Sequence, residues 1–212
     1  MKVPFSELTD RMSRFRAQMD SASPDWEIAL IFTKIHLYYF TGTMQDGMLV
    51  IPRNNDAVFW VRQSYERARE ESRFPDIRKM NSYRDAAREM GALPKTVYLE
   101  TVFVSIALFQ RLQKYFPFTS VKALDEPVAK VRSVKSTYEL SLMEHAGKVH
   151  RHVLEDCVPG LLLEGIDEVS LANDLYCLWC GKGTRASYGL GCSTKCSLDR
   201  SDSVRVRLLR LA

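Results

Sequence analysis

Six segments of strand length, of which the first three are apolar runs, alternate with helical patterns over residues 5–124, and this alternation is the strongest constraint on the fold. Such an order is typical of a sheet whose strands are joined by helices that cover its faces. The second and third runs are separated by the short polar turn Arg53-Asn54-Asn55, which predicts a hairpin. We therefore predict an α/β fold with a mixed, mainly parallel sheet and flanking helices. The six segments are WEIALIF (26–32), GMLVIP (47–52), DAVFWVR (56–62), DIRKM (76–80), KTVYLE (95–100) and TSVKAL (119–124).

Helical patterns lie before and between these runs. An amphipathic helix opens the chain and ends before Pro24, and further helices are predicted over 64–72, 82–91 and 104–116. Gly91 stands where a helix commonly ends in a left-handed residue. The apolar positions of the first helix are Phe5, Leu8, Met12, Phe15 and Met19, and those of helix 104–116 are Ile106, Leu108, Phe109, Leu112 and Phe116.

From Asp125 to Cys180 the pattern predicts helices only. Asp125 and Asp167 are candidate N-caps, and Pro159-Gly160 interrupts the longest helical stretch, 137–158. The change of pattern places a domain boundary near Leu124. We predict three segments: an α/β domain over 1–124, a helical segment over 125–180, and an atypical tail over 181–212.

The net charge of +4 is unevenly spread. Residues 181–212 contain seven Lys or Arg and two Asp, which gives +5 and leaves −1 for the first 180 residues. The body of the protein therefore has no electrostatic reason to bind nucleic acid, and only a basic tail would support that alternative. The sequence has no membrane-length apolar run and no apolar signal core at its N-terminus, so we expect a cytoplasmic protein without membrane contact.

Four of the five cysteines fall in CLWCGKGTRASYGLGCSTKC (177–196). Cys177 and Cys180 form one pair and Cys192 and Cys196 a second, so four thiolates could hold a tetrahedral zinc. The alternative is that Cys177 and Cys180 are small buried apolar residues of a packed helix. We favour the second interpretation and assign no metal ligand.

Three phrases resemble the creatinase/prolidase-type, pita-bread metallopeptidases, which include the Xaa-Pro aminopeptidases. LYYFTGTMQDGMLVIP (37–52) is similar to a segment of that family's N-terminal domain. VAKVRSVKSTYELSLMEHAGKV (128–149) is similar to the run that opens the catalytic domain, and EGIDEVSLANDLY (164–176) to its second helix. The resemblance therefore implies a whole N-terminal domain followed by the start of a catalytic domain.

The resemblance also implies what the intact relatives contain. Their catalytic domain holds two divalent metal ions, manganese, cobalt or zinc, on Asp, His and Glu ligands that lie downstream of these helices. No residue here matches those ligands, so we assign no catalytic and no metal residue. Tyr39, Thr41 and Asp46 are the candidate site residues. The resemblance implies that they lie in a loop that faces a partner subunit or the substrate, since in dimeric relatives this loop faces a neighbouring active site. Core packing is the competing explanation for the aromatic cluster of Tyr38, Tyr39 and Phe40.

Two functions follow as hypotheses. The chain is an incomplete Xaa-Pro aminopeptidase or prolidase-like hydrolase, truncated or frameshifted near residue 181 and inactive, with a peptide substrate only in the intact relative. The alternative is a non-catalytic dimerisation or interaction module that associates with itself. We expect the helix that ends at Cys180 to pack and the residues from about Gly183 onward not to pack.

Overall fold

The computed structural model describes residues 2–91 and 93–181, which divide into two compact units, one ending at Lys135 and the other beginning at Ser136. The first unit contains α1 (Phe5–Ala22), β1 (Ile28–Ile31), α2 (Lys34–Thr41), β2 (Gly47–Pro52), β3 (Val58–Val61), α3 (Tyr65–Glu71), β4 (Ile77–Lys79), α4 (Tyr83–Met90), β5 (Thr96–Leu99), α5 (Ile106–Gln113), β6 (Ser120–Ala123) and α6 (Asp125–Ser133). The second contains α7 (Thr137–His152), a π-helical segment (Val153–Cys157), a 3-10 turn (Val158–Gly160) and α8 (Glu168–Gly181).

The first unit is built on a six-stranded sheet in the order β4-β3-β2-β1-β5-β6. Strands β1 and β5, β5 and β6, and β3 and β4 pair in parallel. The predicted hairpin of β2 and β3 is antiparallel, and β1 also runs antiparallel to β2. The predicted mixed, mainly parallel α/β fold is therefore confirmed.

Alternation along the strands divides the core between the two faces of the sheet. Within β1, Ala29 and Ile31 face one cluster, whereas Ile28 and Leu30 face the other. Helices α1, α2, α3 and α6 contribute to the first cluster, and α4 and α5 to the second. The sheet thus has helices on both faces, as the alternation of strand and helix segments predicts.

Helix α1 buries the side that its sequence pattern predicts, with Phe5 as the exception. Phe15 packs edge-on against Trp26 at 6.1 Å and against Phe40 at 5.2 Å between ring centroids. In α5 the prediction for Ile106 was wrong, because that side chain is exposed. Ile106 is the first residue of the helix, where a side chain points back beyond the N-terminal turn and finds no helical neighbour there.

Helix α6 belongs to the first unit. Its Val128 and Val131, with the preceding Leu124, are buried in the same cluster as Phe15. Arg14 of α1 also donates a hydrogen bond from Nη1 to the carbonyl of Val134 at 3.0 Å. We placed the boundary near Leu124 from the change in pattern, and the structure divides the chain between Lys135 and Ser136.

The second unit consists of helices with well-formed N-termini. Ser136 and Glu139 form a capping box at α7, and Asp167 accepts hydrogen bonds from the backbone of Val169 and Ser170, both at 3.0 Å, as its predicted capping role requires. No residue of α7 is buried. The prediction for the tail, including Cys192 and Cys196, lies outside the described residues.

Candidate functional site

Helix α2 carries two of the three predicted site residues. Tyr39 and Thr41 lie in this helix and not in the predicted loop, and both side chains are buried. Leu37 and Phe40 are also buried and belong to the core on the same face of the sheet as α1. Core packing therefore accounts for part of the aromatic cluster, and the proposed contact with a partner stays a prediction.

The N-terminus of α2 is fixed by a buried pair that sequence reasoning missed. Glu100 follows β5, is fully buried, and accepts hydrogen bonds from the backbone N–H groups of Phe32 at 2.6 Å and Thr33 at 2.9 Å. Its other carboxylate oxygen pairs with Nδ1 of His36. An acidic residue directly after an apolar strand, KTVYLE, was the available signal, because a carboxylate at a strand end rarely stays buried without partners.

Two glycines shape the C-terminal end of α2 and the loop that follows. Gly42 ends the helix at φ 77°, and its N–H donates to the carbonyl of Tyr38 at 2.8 Å. Gly47 opens β2, where a Cβ atom would lie only 2.1 Å from the carbonyl oxygen of Trp60. The glycines of the TGTMQDG phrase thus permit a left-handed turn and a close approach of two strands.

The loop between these glycines is tied to α3. Glu71 accepts hydrogen bonds from Thr43 Oγ1 at 2.9 Å and from Gln45 Nε2 at 3.1 Å, and its other oxygen accepts one from Arg67 Nε at 2.5 Å. The bond from Arg67 holds the pKa of Glu71 below its ordinary value, and the bonds from Gln45 and Thr43 add to that effect against partial burial. A single carboxylate therefore holds two loop side chains in place.

Asp46, the third predicted residue, ties the same loop to β3. Its carboxylate accepts a hydrogen bond from Arg62 Nε at 3.0 Å and a second from the same guanidinium, and the backbone N–H of Arg62 donates to its carbonyl at 2.8 Å. The bond to Asp46 raises the pKa of Arg62 above its ordinary value. The Asp46 carboxylate is therefore paired with Arg62 within the chain, and this pairing holds the loop against β3.

Three arginines surround Tyr39. Arg11 is buried, lies with its guanidinium carbon 4.4 Å from the Tyr39 ring centroid and donates to the Tyr39 carbonyl at 2.8 Å. Arg14 Nη2 donates to the Tyr39 hydroxyl at 3.4 Å, and Arg132 lies 6.0 Å from the ring centroid. Cation–π contacts of this kind favour one orientation of the ring. These contacts add to the packing that holds α2 against α1 and α6.

Three large apolar side chains of α2 and its loop are exposed. Ile35 and Tyr38 stand three residues apart on one side of the helix, and Met44 lies in the loop. Their exposed fractions are 54%, 42% and 49%. A rigid segment with both ends fixed thus presents three large apolar side chains to solvent.

The metal ions that the family resemblance implies do not fit the described side chains. Within residues 2–91 and 93–181, no three His, Cys, Asp or Glu side chains group in a way that could hold a metal ion. Cys177 and Cys180, one half of the zinc motif, lie partly exposed in α8. In that part of the chain, no helix is long and apolar enough to cross a membrane.

Comparison with known protein families identifies the first unit. Residues 11–134 match the creatinase/prolidase N-terminal domain, a range that covers α6 and ends next to the division between the two units. Comparison with curated protein sequences finds no significant match.

Solved structures share this fold. A prolidase from Pyrococcus horikoshii OT3 has 21% identity and a TM-score of 0.70, over 82% of this chain and 49% of that chain. An Xaa-Pro dipeptidase from Bacillus anthracis has 16% identity and a TM-score of 0.70, over 82% and 49%. An X-Pro aminopeptidase from Thermotoga maritima MSB8 has 20% identity and a TM-score of 0.64, over 74% and 47%. The chain therefore spans about half the length of these proteins.

Proposed function

The chain belongs to the creatinase/prolidase N-terminal domain family, and from that premise we propose that its first unit is the non-catalytic half of an Xaa-Pro peptidase-type protein and associates with a second copy of the chain. The exposed apolar face of α2 and its loop is the contact surface. We call Ile35, Tyr38 and Met44 the α2 patch.

The observation that carries this proposal is the rigid presentation of the α2 patch. Glu100 fixes one end of α2, and Gly42, Glu71 and Asp46 fix the other end and the loop. A surface that is already ordered loses little conformational entropy when it binds. Large exposed apolar side chains on such a surface are typical of a protein contact.

Self-association is tested by light scattering and sedimentation velocity on the full chain. We expect the double variant Ile35→Ser/Tyr38→Ser to weaken the dimer by roughly tenfold or more, because it removes two apolar anchors. The matched control is Leu140→Ser/Met143→Ser in α7, which also changes two apolar residues three apart, with exposed fractions of 53% and 55%.

The two variants separate two sources of association. Loss of the dimer in the α2 variant alone supports the proposal. Loss in the α7 variant alone would assign association to the second unit and overturn the α2 patch as the contact. A wild-type chain that stays monomeric at high micromolar concentration would contradict self-association outright.

We also propose that this chain does not hydrolyse peptides as it stands. In the intact relatives, two metal ions would supply an activated water for attack on the peptide carbonyl. The described residues hold no group of side chains suited to that task, which supports the proposal. The chain should be assayed with manganese or cobalt against an Xaa-Pro peptide, beside a metal-only blank. Turnover well above the blank that disappears with a chelator would refute it.

A further inference from the structure

A cysteine, a histidine and an aspartate meet within one turn of the second unit. His152 Nδ1 lies 2.7 Å from a carboxylate oxygen of Asp156, and His152 Nε2 lies 3.8 Å from Sγ of Cys157. The imidazole therefore bridges the carboxylate and the thiol through its two opposite nitrogens. All three side chains are exposed or partly exposed, so small solutes can reach them.

The π-helical segment explains how residues this close in sequence reach one another. In an α-helix, residues three and four apart are neighbours, and residues five apart project to different sides. The segment Val153–Cys157 widens the turn to i→i+5 hydrogen bonding, which brings Cys157 under His152. Asp156 stands four residues after His152 and keeps the ordinary helical contact. Single π turns of this kind occur frequently at functional sites.

The orientation of the imidazole suits proton transfer from the thiol. When Nδ1–H of the neutral ring donates to Asp156, Nε2 carries the lone pair, and it faces Cys157. A thiolate, not a thiol, is the nucleophile in cysteine chemistry, so a base at this position activates the sulfur. Asp156 does not touch the sulfur and acts as a positioning residue for the ring.

We propose that Cys157 is a reactive thiol that exchanges with small disulfides, with His152 as its general base. The Cys157 proton moves to His152 Nε2, and the sulfur attacks one sulfur of the disulfide. A new S–S bond forms to Cys157 as the old S–S bond breaks. The departing thiolate takes the proton from His152 and leaves as a thiol, so the exchange needs no other oxidant. The product is a mixed disulfide at Cys157.

Neighbouring residues provide matched controls. Glu155 is an exposed carboxylate in the same turn, and it pairs with Arg151 at 2.8 Å instead of with His152. Replacing Glu155 by Gln removes the same charge as Asp156→Asn without altering the imidazole contact. Cys177 and Cys180 are partly exposed like Cys157, so accessibility alone would give the three thiols similar rates.

The experiment uses the reduced full chain and oxidised glutathione as the probe. Mixed-disulfide formation is followed at each cysteine by peptide-resolved mass spectrometry. We expect Cys157 to react at least about tenfold faster than Cys180, and we expect His152→Ala to remove this difference in rate. Added imidazole should restore the rate in His152→Ala, because it replaces the missing base. Asp156→Asn should slow the reaction, Asp156→Glu should recover part of it, and Glu155→Gln should leave it unchanged.

Several outcomes would overturn the proposal. Equal rates at Cys157 and Cys180 would show that the thiol is ordinary. A slow His152→Ala variant that imidazole does not rescue would show a structural effect, as would equal losses in Asp156→Asn and Glu155→Gln. Far-UV circular dichroism on each variant distinguishes a lost helix from a lost base, since only the former lowers helicity.

Discussion

Each of the two units of the chain is stabilised internally by a different kind of contact. The first buries two apolar clusters through pairings that join distant parts of the sequence, such as β1 with β5. In the described part of the second, Val153 is the only fully buried apolar side chain. Its helices instead show local stabilisation, by the capping box at Ser136 and by pairs such as Glu144 with Lys148 at 2.9 Å.

This difference predicts unequal resistance to unfolding. Burial of a large side chain contributes about 1.5–3 kcal/mol, whereas an exposed i,i+4 pair contributes about 0.2–0.5 kcal/mol. Most helical stability in proteins comes from packing of an apolar face, so helices that rely on local contacts unfold more readily. We expect the second unit to exchange its amide hydrogens faster than the first.

The largest contrast should come from removing apolar side chains. Phe15→Ala should lower the free energy of unfolding of the first unit by about 3–5 kcal/mol, because it empties the space between Trp26 and Phe40. Leu142→Ala in α7 should cost less than about 1 kcal/mol, since that side chain is already exposed. Urea titration followed by tryptophan fluorescence measures both. Similar costs in the two variants would show that the second unit buries more than the structure describes.

Two glycine substitutions should change stability in opposite directions. Gly47→Ala should destabilise the first unit by about 2–3 kcal/mol, because the new Cβ would meet the Trp60 carbonyl and the strands would have to separate. Gly147→Ala in α7 meets no neighbouring atom and should stabilise that helix by up to about 1 kcal/mol. Thermal denaturation of both variants checks the signs. A destabilising Gly147→Ala would reveal a neighbour at that position.

Removing an N-cap residue should lower the unfolding midpoint when the helix belongs to the first unit, and should lower only the helicity when it belongs to the second. Ser82→Ala breaks the capping box of α4 and should lower the stability of the first unit by about 1 kcal/mol. Ser136→Ala breaks the equivalent box of α7 and should reduce helicity without moving the unfolding midpoint of the first unit. Circular dichroism at 222 nm and urea midpoints are measured together. A midpoint shift in Ser136→Ala as large as in Ser82→Ala would mean that the units unfold as one.

The smallest effect concerns pH. The pKa of Glu71 is depressed in the folded state. The stability that its carboxylate contributes is therefore present above its ordinary pKa of 4.5 and is lost as the pH falls through its pKa in the folded state. The carboxylate is about one-third exposed and screened by water, so the contribution is a few tenths of a kcal/mol. Glu71→Gln should therefore reduce the difference between the free energies of unfolding at pH 7 and at pH 3. An unchanged difference would contradict a role for Glu71 in holding the loop.

The strands β1, β2 and β3 were predictable from sequence because each lies in a compact apolar run, and β2 matches its predicted bounds of 47–52. Helix α2 was not predictable, since its aromatic residues have only moderate helix propensity and its N-cap, Thr33, makes no capping hydrogen bond through its side chain. The contacts that determine α2 come from Glu100, 64 residues beyond His36. A pairing over that distance leaves no local pattern in the sequence.

The candidate site shows the same limit. Gly42 and Gly47 could be identified from the TGTMQDG phrase, because a turn and a close approach require glycine. The burial of Tyr39 and Thr41 could not be predicted from the sequence, because it depends on Arg11 and on the core beneath α2. The contact between Cys157 and His152 depends on a local change of helix type, which residue spacing alone does not reveal.

The place of β1 in the sheet sets an order of events during synthesis. One edge of β1 pairs with β2 soon after it emerges from the ribosome, but the other pairs with β5, which begins 65 residues after β1 ends. At translation rates of about 5–20 residues per second, that edge waits roughly 3–13 seconds for its partner. During this interval an apolar strand, Ile28–Ile31, offers unpaired backbone groups to any neighbouring nascent chain. Chaperone demand should therefore be greatest before Thr96 is made and fall once β5 is in place.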